Sequence, residues 1–549
     1  MSYKRDRGLN QTVMSDVSAP SAPIAQPVSP VATFAWLPWA LPIVAAVLIL
    51  PIWIARLPAM PDMPAHFATF YLLGGGARNP DLARFYQVEW AFVPNLAAEL
   101  VVPALAKILP LVAATKVFLS LIVAMWVLGA GAIHKALFGQ VGTAPLAASF
   151  FAYNANFMWG FLNYCFGTGL SFLVFAAWIA NDGKREPFRI AGFAIAVTAV
   201  YFCHLFAAAT LFLMIVCYEL AKIWRARPFS AIAILARAMP VAVVFLPALV
   251  AFVLLKPGGA GSGHIEFNLL STLDDRASAA IQFTFDRPAY AVFVALLLFF
   301  GIGIYKGKLR LHPLMTPLLI VLAAAALFTP EWAMGGWGVD LRLPAVLGAL
   351  AFATCEFRLQ ERSIHIFTAI VAAVIAYQSA SLAGNWQYYS KQFSEFRAAA
   401  AKIPGGVKLL TVLDGDAMGE ASDQPYWHMA EYAVMDRGDF TPLLFTTKGQ
   451  HVIQLRPAVH DIAASTAQQG SPPDIGELDD LSIGNVNDDP EIEKSFPYLI
   501  RFQCHFDYAV VIHSGGKQTR PPDMLRLEHA GSFFAIYKIL PSDDCGHSS

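Results

Sequence analysis

Residues 61–95, PDMPAHFATFYLLGGGARNPDLARFYQVEWAFVPN, form the first long polar interruption in a chain that otherwise runs from one apolar block to the next. Asp62 stands two residues before Pro64, and proline is favoured in the first turn of a helix because its missing N–H needs no partner there. A glycine run from Gly74 ends this helix after about three turns. The positive end of the helix dipole favours an ionised Asp62, which suits a general base. The alternative is a solvated loop in which Asp62 only caps the helix.

The helix after Asp62 also has an aromatic face. Phe67, Phe70 and Tyr71 recur at spacings of three and four residues, which places them on one side of the helix. An apolar face of this kind is typical of helices that lie in the lipid headgroup layer. We therefore expect the first polar loop to rest on a membrane surface.

The overall composition is that of a membrane protein. Hydrophobic residues make up 57% and charged residues 14% of the 549 positions, and 41 residues are phenylalanine, which excludes a soluble globular protein. The formal net charge is -1 and no basic, aromatic-rich patch is present, so no nucleic-acid partner is expected. We predict an α-helical polytopic protein that contacts the lipid bilayer through most of its length.

The order of apolar blocks and basic clusters predicts the topology. The apolar blocks are 34–55, 114–133, 144–181, 190–221, 231–255, 289–305, 313–329, 343–355 and 364–383. The basic clusters between them are His134 and Lys135; Lys184, Arg185 and Arg189; Lys222, Arg225 and Arg227; Lys306, Lys308 and Arg310; and Arg358 and Arg362. The positive-inside rule puts all five clusters in the cytoplasm, so blocks 144–181 and 190–221 must each cross twice. The count is then about 11 transmembrane helices, with hairpin tips at 159–165 and 201–204 on the outer side.

Three regions follow from this pattern. Residues 1–33 have the composition of a disordered cytoplasmic tail, and residues 34–384 form the transmembrane region with a first outward loop at 56–112. Residues 385–549 have the composition of a soluble extracytoplasmic α/β domain. Its expected elements are helices at 386–402 and 426–435, strands at 407–413, 507–513 and 532–540, and a flexible loop at 470–493.

Two features of the outer region have open interpretations. Asp414 and Asp416 in a DGD sequence suit either a metal ion or, more simply, a turn. Cys504 and Cys545 are the two cysteines of this region, and an oxidising compartment would favour a disulfide between them. The total of six scattered cysteines does not suggest a disulfide framework or a zinc site.

Ionisable and polar side chains at the outer ends of the helices are the candidates for chemistry, because such groups are costly near a membrane. Arg342 begins a helix, with Asp340 two residues before to orient it, and its guanidinium could bind a lipid phosphate. His204 suits either a phosphate ligand or a buried core histidine, and Lys116 is a further cation on this side. The tip at 159–165, which includes Trp159 and Asn163, combines aromatic rings and amides that suit a sugar or an interfacial aromatic belt.

The layout resembles the GT-C superfamily of membrane glycosyltransferases, in its bacterial form. The shared features are an acidic residue early in the first outward loop, short helices in that loop, many crossings and an outer α/β domain. The specific match is PDMPAH at 61–66, which resembles the bacterial subset with a single Asp followed by a His. The resemblance implies a polyprenyl-phosphate sugar as donor and Asp62 as the base, with His66 nearby.

We therefore expect an inverting glycosyltransferase of the bacterial inner membrane that transfers a sugar to an acceptor on the outer face. Asp62 would be the base, and one of Arg342, His204 and Lys116 would neutralise the departing phosphate. His66, Asn163 and Trp159 would bind the substrates, and no cofactor or metal is expected. The alternative is a non-catalytic membrane scaffold or lipid carrier with a partner-binding outer domain. An ion-coupled transporter is disfavoured because the helix centres carry almost no carboxylates.

Overall fold

A computed structural model describes most of the chain. The described residues are 36–182, 187–226, 230–255, 265–267, 273–284, 287–414, 424–464, 472–483, 497–513, 519–542 and 545. Several expectations lie outside them, namely those for the tail 1–33, for Lys184, Arg185, Arg227 and Asp416, and for residues 470–471 and 484–493 of the expected flexible loop.

Helices dominate the described residues. In chain order they are α1 Leu37–Ile54, α2 Met63–Leu73, α3 Ala97–Leu105, α4 Leu111–Phe138, α5 Pro145–Ala148, α6 Ala155–Trp159, α7 Leu162–Ala180, α8 Pro187–Cys203, α9 Leu205–Arg225, α10 Ala231–Leu255, α11 Leu273–Ser278, α12 Tyr290–Tyr305, α13 Thr316–Phe328, α14 Arg342–Ala353, α15 Glu361–Ala400, α16 Tyr432–Arg437 and α17 Glu477–Ile483.

Six helices in the described part of the chain are long and apolar enough to cross a membrane: α1, α4, α7, α9, α10 over Ile234–Leu255, and α15. Four shorter apolar helices accompany them, α8, α12, α13 and α14. The expected count of about 11 crossings is therefore not confirmed. The chain is a mostly helical membrane protein with several candidate membrane-spanning helices.

The two expected hairpins have different outcomes. Block 190–221 is a pair of packed helices, α8 and α9, with the break at His204 where the tip was predicted. The prediction that block 144–181 forms a helical hairpin is wrong for its first half. That half is broken into α5, a 3-10 turn at Ser149–Ala152 and α6. The side chain of Asn154 accepts a hydrogen bond from the N–H of Phe157, so it starts the short α6 rather than continuing a long helix.

Basic residues gather at one end of the helices, and the candidate residues lie at the other. His134 Nδ1 hydrogen-bonds the carbonyl oxygen of Ala353, the last residue of α14, at 3.1 Å. The N–H of Arg358 donates to the carbonyl oxygen of Lys308 at 2.7 Å, which joins two further basic clusters at this end. Arg342 begins α14 and so lies at the opposite end of the same helix. The helix is about 18 Å long, which separates the two groups clearly.

The strands of the described residues are short. They are β1 Tyr86–Val88, β2 Gln282–Thr284, β3 Arg287–Pro288, β4 Leu309–Leu311, β5 Cys355–Phe357, β6 Leu409–Asp414, β7 Ile453–Leu455, β8 Tyr508–His513, β9 Leu525–Ala530 and β10 Phe534–Ile539. Four of them form a C-terminal sheet in the order β6-β8-β10-β9, in which only β6 and β8 are parallel. The three strands expected at 407–413, 507–513 and 532–540 are thus present.

Two expectations about the C-terminal helices differ from the structure. Helix α15 is continuous over 40 residues, so the apolar block 364–383 and the helix expected at 386–402 are one helix, and the expected boundary at 385 lies inside it. The helix expected at 426–435 consists of two 3-10 segments, Gln424–Tyr426 and Met429–Glu431, followed by the short α16.

The position of α2 corrects the expectation that it lies in the headgroup layer. Phe67 and Phe70 are 0% exposed, and α2 packs against Met429–Glu431 and α16 of the C-terminal region. The Phe67 ring lies 6.1 Å from that of Tyr432. Strand β1 of the same loop also pairs with β7. An apolar helical face shows only that something covers it, and here protein rather than lipid covers it.

The expected disulfide is confirmed, because Cys504 and Cys545 are bonded. Their sequence separation is 41 residues, so the bond ties the C-terminal end of the chain to the segment before β8. The other four cysteines, Cys165, Cys203, Cys217 and Cys355, are free and buried, as small apolar residues usually are.

Candidate functional site

A cavity of about 420 Å³ lies at the end of the helices opposite the basic clusters. This volume is within the range of ordinary small-molecule sites. Its lining comes from the first loop, the two helix breaks, the segment before α14 and the C-terminal region. The lining residues are Asp62, His66, Pro94, Asn95, residues 159–164, residues 204–206, Trp332, residues 334–337, Arg342, Phe445 and residues 449–451. The sequence-predicted site residues are thus brought together, with the exception of Lys116.

Asp62 is held in place by the break between α6 and α7. Its N–H donates to the carbonyl oxygen of Trp159 at 3.1 Å. Gly160 has a φ of +104°, and a Cβ at that position would lie 2.8 Å from the Cβ of Asp62. Glycine is therefore required at 160 both for its backbone conformation and for the close approach of Asp62. The Asp62 carboxylate makes no capping hydrogen bond to α2, so the interpretation of Asp62 as a simple helix cap is wrong.

The protonation of Asp62 also differs from expectation. Burial raises the pKa of Asp62 to about 7, and the charge of His428 lowers it only in part. The sequence predicted a carboxylate kept ionised by the helix dipole, but desolvation outweighs that effect here. A pKa close to the ambient pH remains well suited to a general base, since both protonation states are accessible.

His66 is fixed as a neutral hydrogen-bond donor. Its Nε2 lies 2.8 Å from the carbonyl oxygen of Gly160, which can only accept, so Nε2 carries the proton. Burial lowers the pKa of His66 to about 4, which keeps the ring uncharged at neutral pH. The ring stacks on Phe70 at a centroid distance of 5.7 Å. His66 therefore lies in the wall of the cavity and links the first loop to the break between α6 and α7.

Arg342 brings a cation with free hydrogen-bonding capacity to the cavity. Its Nη2 donates to the carbonyl oxygen of Trp337 at 3.2 Å, whereas Nε and Nη1 are buried and have no hydrogen-bond partner among the described residues. The guanidinium carbon lies 4.6 Å from the ring centre of Phe206 and 5.5 Å from those of Phe161 and Tyr164. Packed against three rings, the guanidinium is held in one place and brings a positive charge to the wall of the cavity.

Asp340 does not orient Arg342 as expected. Its Oδ2 lies 3.3 Å from Nε of Arg276, and both side chains are buried. Burial raises the pKa of Asp340, while the charge of Arg276 lowers it. The three aromatic rings and the carbonyl oxygen of Trp337 position Arg342 instead. Asp340, in the loop before α14, forms an ion pair with Arg276.

The other expected phosphate ligands are placed differently. His204 lines the cavity, and its Nδ1 accepts a hydrogen bond from the N–H of Phe206 at 3.2 Å, which caps α9. The sequence prediction of Lys116 at the site is wrong. Its Nζ donates to the carbonyl oxygen of Ala55 at 2.5 Å and lies 5.9 Å from the ring centre of Trp53, away from the cavity.

Trp159 and Asn163 line the cavity in distinct ways. Trp159 forms an aromatic wall with Trp337, at an edge-to-face centroid distance of 4.9 Å. The amide of Asn163 is engaged by the protein, since its Oδ1 accepts from the N–H of Ala98 at 2.7 Å and its Nδ2 donates to Glu99 at 2.8 Å. Asn163 thus holds α3 against α7, and its contribution to a ligand would be indirect.

The C-terminal region also reaches this cavity, which no sequence pattern predicted. Phe445, Gln450 and His451 form one wall, and Nε2 of Gln450 donates to the carbonyl oxygen of Gly335 at 3.1 Å. Burial lowers the pKa of His451 to about 4. These residues lie in a stretch without a recognisable motif, and the contact depends on a fold that spacing along the chain does not reveal.

No group of three or more His, Cys, Asp or Glu side chains is arranged to hold a metal ion within the described residues. Asp414 is used inside the C-terminal sheet, where its Oδ2 lies 2.9 Å from Nδ1 of His513 and both oxygens accept from the N–H of Thr519.

Comparisons with known proteins give only a distant likeness. No protein-family model and no curated protein matches the chain. The chain is similar to the structure of arabinofuranosyltransferase AftD from mycobacteria, with 16% identity over 94% of this chain and 40% of that chain and a TM-score of 0.47. Two structures of a mutant AftD give TM-scores of 0.40 and 0.39 at 15% and 17% identity, covering 94% and 92% of this chain and 42% of those chains. The chain therefore spans less than half the length of these structures. Because all three TM-scores lie below 0.5, the likeness does not identify a reaction.

Proposed function

We propose that this chain is a membrane glycosyltransferase of the GT-C type, which transfers a sugar from a polyprenyl-phosphate donor to a hydroxyl acceptor. One observation carries the proposal: the Asp62 carboxylate and the partly unpartnered guanidinium of Arg342 line one cavity at an end of the membrane helices. We place this end on the outer face of a bacterial inner membrane, because the basic clusters lie at the opposite end.

The proposed reaction needs one base and one anion site. The Asp62 carboxylate takes the proton of the acceptor hydroxyl as the hydroxyl oxygen attacks the anomeric carbon of the sugar. The bond between that carbon and the phosphate oxygen breaks, its electron pair stays on the phosphate, and the configuration at carbon inverts. Negative charge thus moves onto the phosphate, where the positive charge of Arg342, which lines the cavity and has nitrogens without a partner among the described residues, would stabilise it. His204 lies on the same wall, as a second donor.

The remaining lining residues suit the sugar of the donor, and the location of the cavity suits the donor's lipid tail. Trp159 and Trp337 offer flat apolar faces of the kind that pack against sugar rings, and His66 keeps the first loop attached behind them. A cavity at the end of the membrane helices is at the depth where a lipid carrier presents its phosphate. The donor tail would then stay in the bilayer while the sugar enters the cavity.

The test is Asp62→Asn in membranes supplied with a radiolabelled polyprenyl-phosphate sugar. Loss of a positioned base typically costs a factor of about 10² to 10⁴ in rate, so transfer should fall by that amount while protein level and donor binding are kept. Asp81→Asn is the matched control in the same loop. Asp81 forms an exposed ion pair with Arg84 at 3.2 Å and does not line the cavity, so its loss should be mild.

The result also separates the proposal from the alternative of a membrane scaffold or lipid carrier. A scaffold should tolerate Asp62→Asn without any change in glycan products, and so would a carrier that only binds lipid. Transfer by the Asp62 variant within about tenfold of the wild-type rate would show that the base lies elsewhere.

A further inference from the structure

His428 and Glu431 form a buried charged pair in the C-terminal region. Nδ1 of His428 lies 3.5 Å from Oε1 of Glu431, and the two side chains are 1% and 0% exposed. Neither ring nitrogen of His428 and neither carboxylate oxygen of Glu431 makes a hydrogen bond within the described residues. Such a pair is expensive to bury, because each charge gives up water without hydrogen bonds in return.

The pair is packed directly behind the first loop. Helix α2, which Asp62 precedes, packs against the 3-10 segment Met429–Glu431. The Phe445 ring bridges the two regions, since its centre lies 5.0 Å from that of the His428 ring and 6.2 Å from that of the His66 ring. The N–H of His66 in turn donates to the carbonyl oxygen of Asp62 at 2.9 Å.

We propose that the His428–Glu431 pair is a positioning device for the base, in which Glu431 keeps His428 protonated and His428 holds a positive charge beside Asp62. This inference rests on the proposed function. It assigns the C-terminal region a part in the chemistry, because the charge that tunes Asp62 then comes from outside the membrane region.

The charges around the pair agree in sign. Burial alone would lower the pKa of His428, but Glu431 and then Asp62 outweigh burial and raise it above its ordinary value. Burial raises the pKa of Asp62, and the positive charge of His428 is what lowers it. Further titratable groups near the pair, among the described residues, are His66, which stays neutral, and His451, whose ring stacks on Phe445 and whose pKa burial lowers to about 4. Tyr86 is also near, and its pKa is raised mainly by burial.

Loss of the His428 charge should therefore raise the pKa of Asp62. Without that charge the pKa of Asp62 rises from its value of about 7, so a smaller fraction of Asp62 is ionised at neutral pH. Each unit of increase lowers the ionised fraction about tenfold at pH values below the pKa. The rate of sugar transfer should fall on the acid side and recover at high pH, where Asp62 ionises regardless.

The experiment is the pH profile of sugar transfer from pH 5.5 to 9 for the full-length chain in membranes, with saturating donor. His428→Gln and Glu431→Gln should both move the acid limb to higher pH and lower the rate about tenfold or more at pH 6, with recovery by pH 9. His460→Gln is the matched control from the same region. Its Nε2 binds the carbonyl oxygen of Leu455 at 3.0 Å outside the cavity, so its profile should match the wild type.

Three outcomes decide the matter. A uniform loss at every pH in both variants, or an acid limb that stays in place, would overturn the inference, because a merely structural pair gives no pH shift. The amount of protein in the membrane is measured for each variant. If His428→Gln does not accumulate, Glu431→Gln, which preserves the size of the side chain, decides the test. Wild-type membranes without any transfer would instead refute the proposed function itself.

Discussion

Arg342→Gln tests the anion site of the proposed reaction. The change removes the guanidinium but leaves a side chain that can still donate to the carbonyl oxygen of Trp337. We expect kcat/KM for the lipid-linked donor to fall steeply, because the leaving phosphate loses its positively charged partner as negative charge develops on it.

The structure sets the size of the effect. The Nε–H and Nη1–H groups are the two donor positions of Arg342 without a partner among the described residues. A hydrogen bond to a charged group contributes about 1.5 to 3 kcal/mol, so two of them contribute about 3 to 6 kcal/mol. This range corresponds to roughly two to four powers of ten in kcat/KM. Arg342→Lys should fall in between, because an ammonium keeps the charge but loses the fixed pair of N–H directions.

The assay is the initial rate of sugar transfer by purified protein in lipid vesicles, at several donor concentrations. Arg276→Gln is the control, since Arg276 is also buried near this end but is engaged by Asp340 and by the carbonyl oxygens of Ala326 and Thr329. Arg276→Gln should lower thermal stability and leave the specific activity of the folded fraction close to wild type. A kcat/KM for Arg342→Gln within about threefold of wild type would refute the assignment of Arg342 to the phosphate.

Two further predictions concern residues outside the cavity. Lys116→Gln should keep transfer within about threefold of wild type in the same assay, because Nζ of Lys116 binds the carbonyl oxygen of Ala55 rather than facing the cavity; a loss comparable to that of Arg342→Gln would restore Lys116 to the site. Cys504→Ser with Cys545→Ser should lower the free energy of unfolding by about 4 kcal/mol, from the chain entropy of a 41-residue loop, measured as a lower melting temperature in detergent; an unchanged melting temperature would contradict this.

Much of the site could be predicted because it consists of polar residues where apolar blocks break. Asp62, Trp159, His204 and Arg342 all stand at helix ends, and the basic clusters indicate which ends lie together. Lys116 was misplaced because the same rule cannot tell which way a side chain turns from its helix. A lysine near a helix end can donate a hydrogen bond to a backbone carbonyl oxygen of a neighbouring segment, as Lys116 does.

The contribution of the C-terminal region could not be predicted. The aromatic face of α2 was assigned to lipid because periodicity reports only that a face is apolar. In the structure Phe67 of that face meets Tyr432, Phe445 contacts the His66 ring, and the charge of His428 acts on Asp62. Contacts between residues some 360 positions apart leave no local pattern in one sequence, whereas β6, β8 and β10 do, as short apolar runs bounded by turns.

Helix α15 connects the membrane helices to the C-terminal region without a break. It runs for 40 residues, about 60 Å, and its last turns are joined to the C-terminal region by the ion pair of Arg397 with Asp436 and by the contact of Phe396 with Phe534. A continuous helix acts as a rod rather than a hinge, so we expect the C-terminal sheet to keep its position relative to the membrane helices. Under the proposed function, any opening of the cavity would then fall to segments of its lining such as 334–337 and 449–451.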